Sequence, residues 1–382
     1  MTARDLIVQR IRERGPLTVA EFMSIALYHP EHGYYARAAR RTGRNGDFFT
    51  SVDVGPAFGA MLARQFAEMW RRLEPDGTAV LSGEGIDLVE AGASNGQLAR
   101  DVLDAARATD PEFYSAIRLH LVDASPVARA AQQEMLAPHA AKVASSGVTL
   151  PDAVHGVIYA NELLDALPVH SVVMTGHGLR EHYVDLDGDR LVERVGQPST
   201  QALEEYLRAA NVALRPGWRA EINLAALAWT ARACRALHRG FLLLVDYGHA
   251  AEEIYSATHA GGTLTTFARH VANPSAEGPA WLEEPGTRDI TSHVDLTSVQ
   301  RAAEQFGCTT LGVLDQGYFL LALGLADELA TVGSSVAATR RRLALKTLIL
   351  PGGLGSTHKV LVFGKQVQGA PLRGLSGPSR LT

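Results

Sequence analysis

The sequence predicts an α/β protein: a Rossmann-like, doubly wound sheet with a helical extension before it and elements inserted within it. Three observations carry this. Residues 86–103 read IDLVEAGASNGQLARDVL, an apolar strand, a glycine turn and an amphipathic helix. That is how such a sheet presents its first ligand-binding loop. Two more apolar runs, RLHLV at 118–122 and VHGVIYA at 154–160, end in polar residues. A further run, FLLLV at 241–245, is apolar throughout, the mark of a strand buried on both faces.

The elements follow in order. Residues 1–14 form a charged helix ended by Gly15-Pro16, and Thr18 with Glu21 three residues later reads as a capping box. The next helix breaks at His29-Pro30. A basic, glycine-rich stretch from Arg37 to Gly46 then leads to Asp47-Phe48-Phe49-Thr50-Ser51, with the length and composition of a lid or binding loop. Phe58–Leu73 is an amphipathic core helix, and 74–77 a turn. Past the glycine loop come the helix 97–108, the strand 118–122 ending in Asp123, and a helix opened by Ser125-Pro126. Residues 183–195 alternate around Asp187-Gly188, a hairpin signal. Helices are expected at 201–214, 224–237 and 296–306, and strands at 309–314 and 359–363. The division expected is 1–75 for the N-terminal helices and lid loop, 76–365 for the main domain with insertions at 176–220 and 250–290, and 366–382 for a disordered tail.

Composition narrows the function. The chain has 382 residues, enough for one large domain or two ordinary ones. A hydrophobic share of 46% and a charged share of 20% suit a globular enzyme. A net charge of −5 exerts no pull toward nucleic acid or anionic membrane. Cys234 and Cys308, far apart in sequence, suggest neither a disulfide framework nor a metal cluster, and point to a reducing compartment, the cytoplasm. The N-terminus lacks a signal peptide's apolar core, Asp5 and Glu13 argue against a mitochondrial presequence, and no stretch approaches a membrane span.

The candidate site lies at the strands' carboxyl ends. A dinucleotide fingerprint fails, because Ser94 and Gln97 stand at its second and third glycine positions; a P-loop fails, because Gln97 follows Gly96. Glu90, Gly92, Ser94 and Gly96 spell E-x-G-x-x-x-G. Gly92 and Gly96 let the backbone approach a ligand, and Glu90 could accept hydrogen bonds from it. The alternative is an ordinary βα turn with glycines for packing. Asp123, followed by Ala124, closes the second strand where ribose hydroxyls are held, or else caps a helix. Asn161, Glu162 and Asp165 follow the strand 154–160. On a helical turn Glu162 and Asp165 would share a face and suit a guanidinium; the alternative is helix capping. Asp289, His293 and Asp295 read as a capped helix start, so no metal is expected.

Several stretches together resemble the MidA-like family of class I S-adenosylmethionine methyltransferases. They are GDFFTS at 46–51, EAGASNG at 90–96, LVDASP at 121–126, ANELLDALP at 160–168, LLLVDYG at 242–248, GGTL at 261–264, DITSHVD at 289–295, DQGYFLLALG at 315–324 and KVLVFG at 359–364. The family's mitochondrial member is a respiratory complex I assembly factor that methylates an arginine. The resemblance implies a seven-stranded class I methyltransferase sheet and S-adenosylmethionine as cofactor. It also implies a protein arginine as substrate, symmetrically dimethylated, with a respiratory-chain subunit as one possible acceptor. Glu162, Asp165 and Asn161 would be catalytic. Glu90, Gly92, Ser94, Gly96, Asp123 and Ala124 would hold the cofactor, with Asp47 and Thr50 closing the site. Two departures from the family pattern stand out: Ser94 replaces the middle glycine, and the Pro-Glu pair near Asp53 is absent. The rival readings are a non-catalytic assembly protein of the same fold and a small-molecule methyltransferase.

Overall fold

Seven strands form the main path of the eight-stranded sheet that carries the candidate site: β1 Ile86–Ala91, β2 Ile117–Val122, β3 Val143–Gly147, β4 Val154–Asn161, β5 Leu237–His249, β6 Thr309–Asp315 and β7 His358–Lys365, with the short strand Val294–Asp295 pairing the end of β5. Their spatial order is 3-2-1-4-5-7-6. Strands β1 to β5 pair in parallel, and β7 runs antiparallel between β5 and β6. This path is the expected Rossmann-like, seven-stranded sheet. The computed structural model describes residues 1–382 except 39–49, 74–84, 269–270, 273–278, 332–334, 351, 370 and 377–382. Asp47, most of the basic glycine-rich stretch and the turn at 74–77 lie outside the described residues.

The chain divides into two compact units. One contains residues 49–163, 231–247 and 303–382, and with them the seven-stranded sheet. Its core is the sheet packed under two helices, Ala57–Leu73 and Gln97–Thr109. The stripe read from the sequence, Phe58, Met61, Leu62, Phe66, Met69 and Trp70, is buried in full against Leu98, Val102, Leu88 and Val157. Each such side chain contributes about 1.5–3 kcal/mol by leaving water.

Two expectations need correction here, on strand β5 and on the tail, and two further features were not read from the sequence. Strand β5 is longer than the apolar run: Asp246 and Tyr247 stay in the ladder opposite Lys359 and His358, because antiparallel pairing with β7 satisfies their backbone whatever their side chains. Strand β3, VASSG, has no apolar alternation to announce it and forms by pairing with β2. The tail is folded through Ser376: Leu372 is buried and the Gly374 amide donates to Gln65 at 2.9 Å. Cys234 and Cys308, distant in sequence, are neighbours in space; both are free thiols, and the hydrogen bond between them, with burial, pushes the Cys234 pKa up.

The other unit contains residues 1–48, 164–230 and 248–302, so the N-terminal extension and both insertions fold together. Its helices Ala3–Arg14 and Val19–Tyr28 pack beside an antiparallel sheet of Leu17–Thr18, His170–Thr175, Gly178–Asp187, Arg190–Gly196 and Arg219–Ile222. The expected hairpin forms, but its turn is Gly188-Asp189, one residue beyond the Asp187-Gly188 signal, because Asp187 still pairs with Arg190. The helix expected at 201–214 stops at Ala209, and Asn211 takes a left-handed φ of 56°. The capping box forms as expected: the Glu21 amide donates to Thr18 Oγ1 at 3.1 Å, and the Thr18 amide to Glu21 Oε2 at 2.9 Å. Thr18→Ala is expected to cost about 1 kcal/mol. Hydrogen exchange should report it as earlier opening of Val19–Tyr28, and Thr18→Ser should restore protection.

Candidate active site

The glycine loop is built from backbone strain held in place by a carboxylate. Strand β1 ends at Ala91, and the chain turns through Gly92 (φ 71°), Ser94 (φ 46°) and Gly96 (φ 85°) before the helix Gln97–Thr109 starts. Gly92 and Gly96 take this region at no steric cost; Ser94 takes it at a cost of order 1–2 kcal/mol. The position where a glycine is usual thus keeps glycine's conformation without glycine. Asp123, at the end of β2, holds it there. Its Oδ2 accepts from the Ser94 amide at 2.8 Å and its Oδ1 from the Ser125 amide at 2.7 Å. Burial raises its pKa. Each of its oxygens retains a second lone pair for a ligand hydroxyl. Gly92, Ser94 and Ala124 are exposed, and Arg129 fixes the carbonyls of Asp123 and Ala124 at 2.7 and 3.0 Å.

Glu90 departs from its expected role. Its carboxylate is 4% exposed and committed to the protein: it accepts from the Tyr159 hydroxyl at 3.0 Å and from the Ala99 amide in the first turn of the following helix. It caps that helix from the strand and fixes the loop between them, leaving little of its surface for a ligand. Burial raises its pKa to about 8, against the stabilising bonds from Tyr159 and Ala99. The sign follows from proton linkage. Between the unfolded value of 4.5 and about 8 the folded chain binds the extra proton, so this residue makes stability fall as pH rises through that window. Its slope is at most about 1.4 kcal/mol per pH unit. Glu90→Gln, uncharged at every pH, is expected to gain thermal stability relative to the parent between pH 5 and pH 8. An offset that stays constant across that range would refute the assignment.

A second strained residue stands at the end of β4. Glu162 has φ 51°, and its amide donates to the Val245 carbonyl at 2.8 Å. Its Oε1 is gripped from several sides: the Asn161 amide nitrogen donates at 3.2 Å, the Ser51 backbone amide at 3.4 Å, and His358 Nε2 lies 3.5 Å away. Glu162 Oε2 has no hydrogen bond among the described residues. Burial lowers the His358 pKa, but Glu162, with Asp246, outweighs it, and the net shift is upward. Leu163 reaches back over Gly92, where a Cβ would stand 3.2 Å from Leu163 Cδ1. The glycine loop and Glu162 therefore belong to one constellation.

The expected pairing of Glu162 with Asp165 on a helical face does not occur. Residues 162–167 form bends and a turn, not a helix, because Glu162 is left-handed and Pro168 follows. Asp165 falls in the other compact unit, buried, with its carbonyl accepting from the Ser292 amide at 3.1 Å. Thr50 bonds locally to Asp53 Oδ2 through its amide at 3.0 Å and its hydroxyl at 3.1 Å. Its neighbour Ser51 is the residue that reaches the site, donating its hydroxyl to the buried Gln316 at 3.0 Å. Sequence reasoning missed Ser51, Gln316 and His358. All three stand in or beside stretches that carried the family resemblance or at a strand end. Asp295 caps the helix Leu296–Gln305 through the Ser298 amide at 3.1 Å, as the capped-start reading required, whereas Asp289 lies in the short strand Asp289–Thr291 and accepts from Tyr35 at 2.9 Å.

Residues 61–314 match a family described as proposed S-adenosyl-L-methionine-dependent methyltransferases. A crystal structure from Burkholderia thailandensis, described as a methyl transferase candidate bound to S-adenosyl-homocysteine, is 30% identical. It superimposes with a TM-score of 0.85 over 99% of this chain and 95% of that one. The human mitochondrial protein arginine methyltransferase NDUFAF7 is 29% identical, covering 84% of this chain and 72% of that protein. Its Drosophila melanogaster homolog is 28% identical, covering 81% and 72%. Those curated relatives are named mitochondrial, which gives the cytoplasmic expectation no support. Among the described residues, no helix is long and apolar enough to cross a membrane.

Proposed function

The chain belongs to the family of S-adenosyl-L-methionine-dependent methyltransferases, and we propose that it transfers the methyl group to an arginine side chain of a protein. The observation that carries this reading is the Glu162 carboxylate, with one oxygen held by Asn161, Ser51 and His358 and the other left open. S-adenosylmethionine supplies a methyl carried on a sulfonium. The exposed backbone of Gly92 and Ser94 would take its amino-acid part, and Asp123, with lone pairs to spare, its ribose. That backbone is left-handed and pinned from behind, so it offers a preformed cradle despite Ser94.

The acceptor chemistry follows from charge. A guanidinium has a pKa above ~12 and reaches the site protonated. A carboxylate fixed at one oxygen and open at the other can draw the guanidinium in, localise its charge and aim one nitrogen. Positioning of that kind supplies several kcal/mol in a displacement that needs no covalent help. Asn161 and Ser51 keep Glu162 from swinging away, and His358 Nε2 lies 3.5 Å from the same oxygen. The names of the curated relatives support an arginine acceptor. The resemblance read from the sequence makes an arginine-bearing respiratory-chain subunit, symmetrically dimethylated, the first acceptor to test.

The test is methyl transfer from labelled S-adenosylmethionine to a lysate of the source cells, followed by peptide mapping. Label on arginine is the expected result. Label confined to small molecules, or to other side chains, would overturn the arginine assignment.

A further inference from the structure

Residues 248–302 bring together three histidines that the reaction above does not use. His249 closes β5, His259 ends the 3-10 helix Ala257–His259, and His293 lies between the short strands Asp289–Thr291 and Val294–Asp295. Backbone pairing makes the first contact: Gly248 and His249 pair in parallel with Val294 and Asp295. A Cβ on Gly248 would stand 2.1 Å from the Val294 carbonyl oxygen, so only glycine allows that approach. The ring centroids lie 5.2 Å apart for His249–His259, 5.2 Å for His249–His293 and 5.7 Å for His259–His293. One nitrogen from each ring lies within 4.8 Å of the other two.

A second observation points to a ligand. Glu253 engages two of the rings from outside. Its carboxylate lies 3.0 Å from His249 Nδ1, and its backbone carbonyl 3.0 Å from His259 Nδ1. Metal-ligating histidines have this support: one ring nitrogen is given to a carboxylate or a carbonyl, which fixes the tautomer and leaves the other nitrogen for the metal.

We propose that His249, His259 and His293 form a binding site for one divalent transition-metal ion, zinc foremost, with Glu253 orienting two of the ligands. An all-imidazole set suits zinc, copper or nickel and does not suit calcium or magnesium, which take oxygen. Zinc–nitrogen bonds of about 2.0–2.1 Å in a tetrahedron place the nitrogens about 3.3 Å apart. Loading therefore draws the three rings inward by side-chain rotation, and water takes the fourth position. The ion cross-links the end of β5, the 3-10 helix and the turn before Val294. Sequence reading expected no metal because it considered His293 only with Asp289 and Asp295, its neighbours along the chain.

The test uses the full-length chain without a histidine tag, stripped by a chelator and dialysed against Zn²⁺. One ion per chain is expected, and Co²⁺ in its place should give the visible absorption of a four-coordinate ion. His259→Ala should weaken zinc at least tenfold. Glu253→Ala, which leaves all three ligands in place, should weaken it about tenfold. His177→Ala, on an exposed turn, should change nothing. Circular dichroism verifies that each variant is folded; should His259→Ala not fold, Glu253→Ala decides alone. Substoichiometric uptake, or parental affinity in the deciding variant, would overturn the site.

Discussion

Glu162→Gln is expected to lower kcat for arginine methylation by about 10²–10³ while leaving S-adenosyl-homocysteine affinity within roughly threefold of the parent. The size is that of removing one preorganised electrostatic partner from a reacting centre, about 2.7–4 kcal/mol. The substitution is close to isosteric, and a glutamine oxygen can still accept from Asn161 and the Ser51 amide, so the fold should be kept. What disappears is the negative charge. A guanidinium would meet a neutral amide whose nitrogen donates where acceptance is needed. A second readout is independent of activity. Glu162 is a principal group holding the His358 pKa up against burial. In the variant His358 should therefore titrate lower, which proton NMR of its ring can follow. Full activity in Glu162→Gln would remove the carboxylate from the mechanism. Lost activity with an unmoved His358 would mean that the pair seen at 3.5 Å does not interact in solution.

Asp123→Ala should raise the dissociation constant for S-adenosyl-homocysteine at least tenfold and lower thermal stability as well. Two charge-assisted bonds, to the Ser94 and Ser125 amides, are lost together, each contributing roughly 1.5–3 kcal/mol. Water can reach the exposed Ser94 amide and recovers part of that. Without Asp123 the Ser94 amide loses its partner, leaving the Gln132 bond to the Ser94 carbonyl at 2.8 Å to hold the left-handed φ, and the cradle would loosen. Asp123→Asn separates charge from geometry. Its oxygen can keep one amide, but its nitrogen then faces the other, donor against donor. It should therefore bind nearly as poorly as the alanine variant. Calorimetry measures both, and parental affinity in either would show that the loop neither needs this anchor nor offers it to the ribose.

Much of the sheet was legible because its signals are local. The glycine loop, the acidic ends of β2 and β4, the Thr18–Glu21 box and the stripe from Phe58 to Trp70 each depend on residues a few positions apart. The roles within the site were less legible. Glu90 looked like a ligand acceptor because it ends an apolar run. It proved to be a buried cap because Tyr159 and Ala99 converge on it. Glu162 and Asp165 looked paired because they are three apart. That inference assumed a helix, which the left-handed turn at Glu162 prevents. Ser51 and His358 gave no hint of sharing an oxygen, since they lie 111 and 196 positions from Glu162. The histidine cluster was hidden for a similar reason: strand pairing at Gly248 and Val294 assembles it.

By itself the sequence determined the α/β class, the position of the glycine loop and the residue types at the strand ends. Hydrophobic period and turn chemistry act over a few residues and can be read there. Only the tertiary structure decided which carboxylate is open and which is a cap, that the N-terminal helices and the insertions fold as one unit, and that the last described residues belong to the core. Those outcomes depend on which distant groups compete for the same lone pairs and the same buried space, and that competition is settled only when the chain is packed.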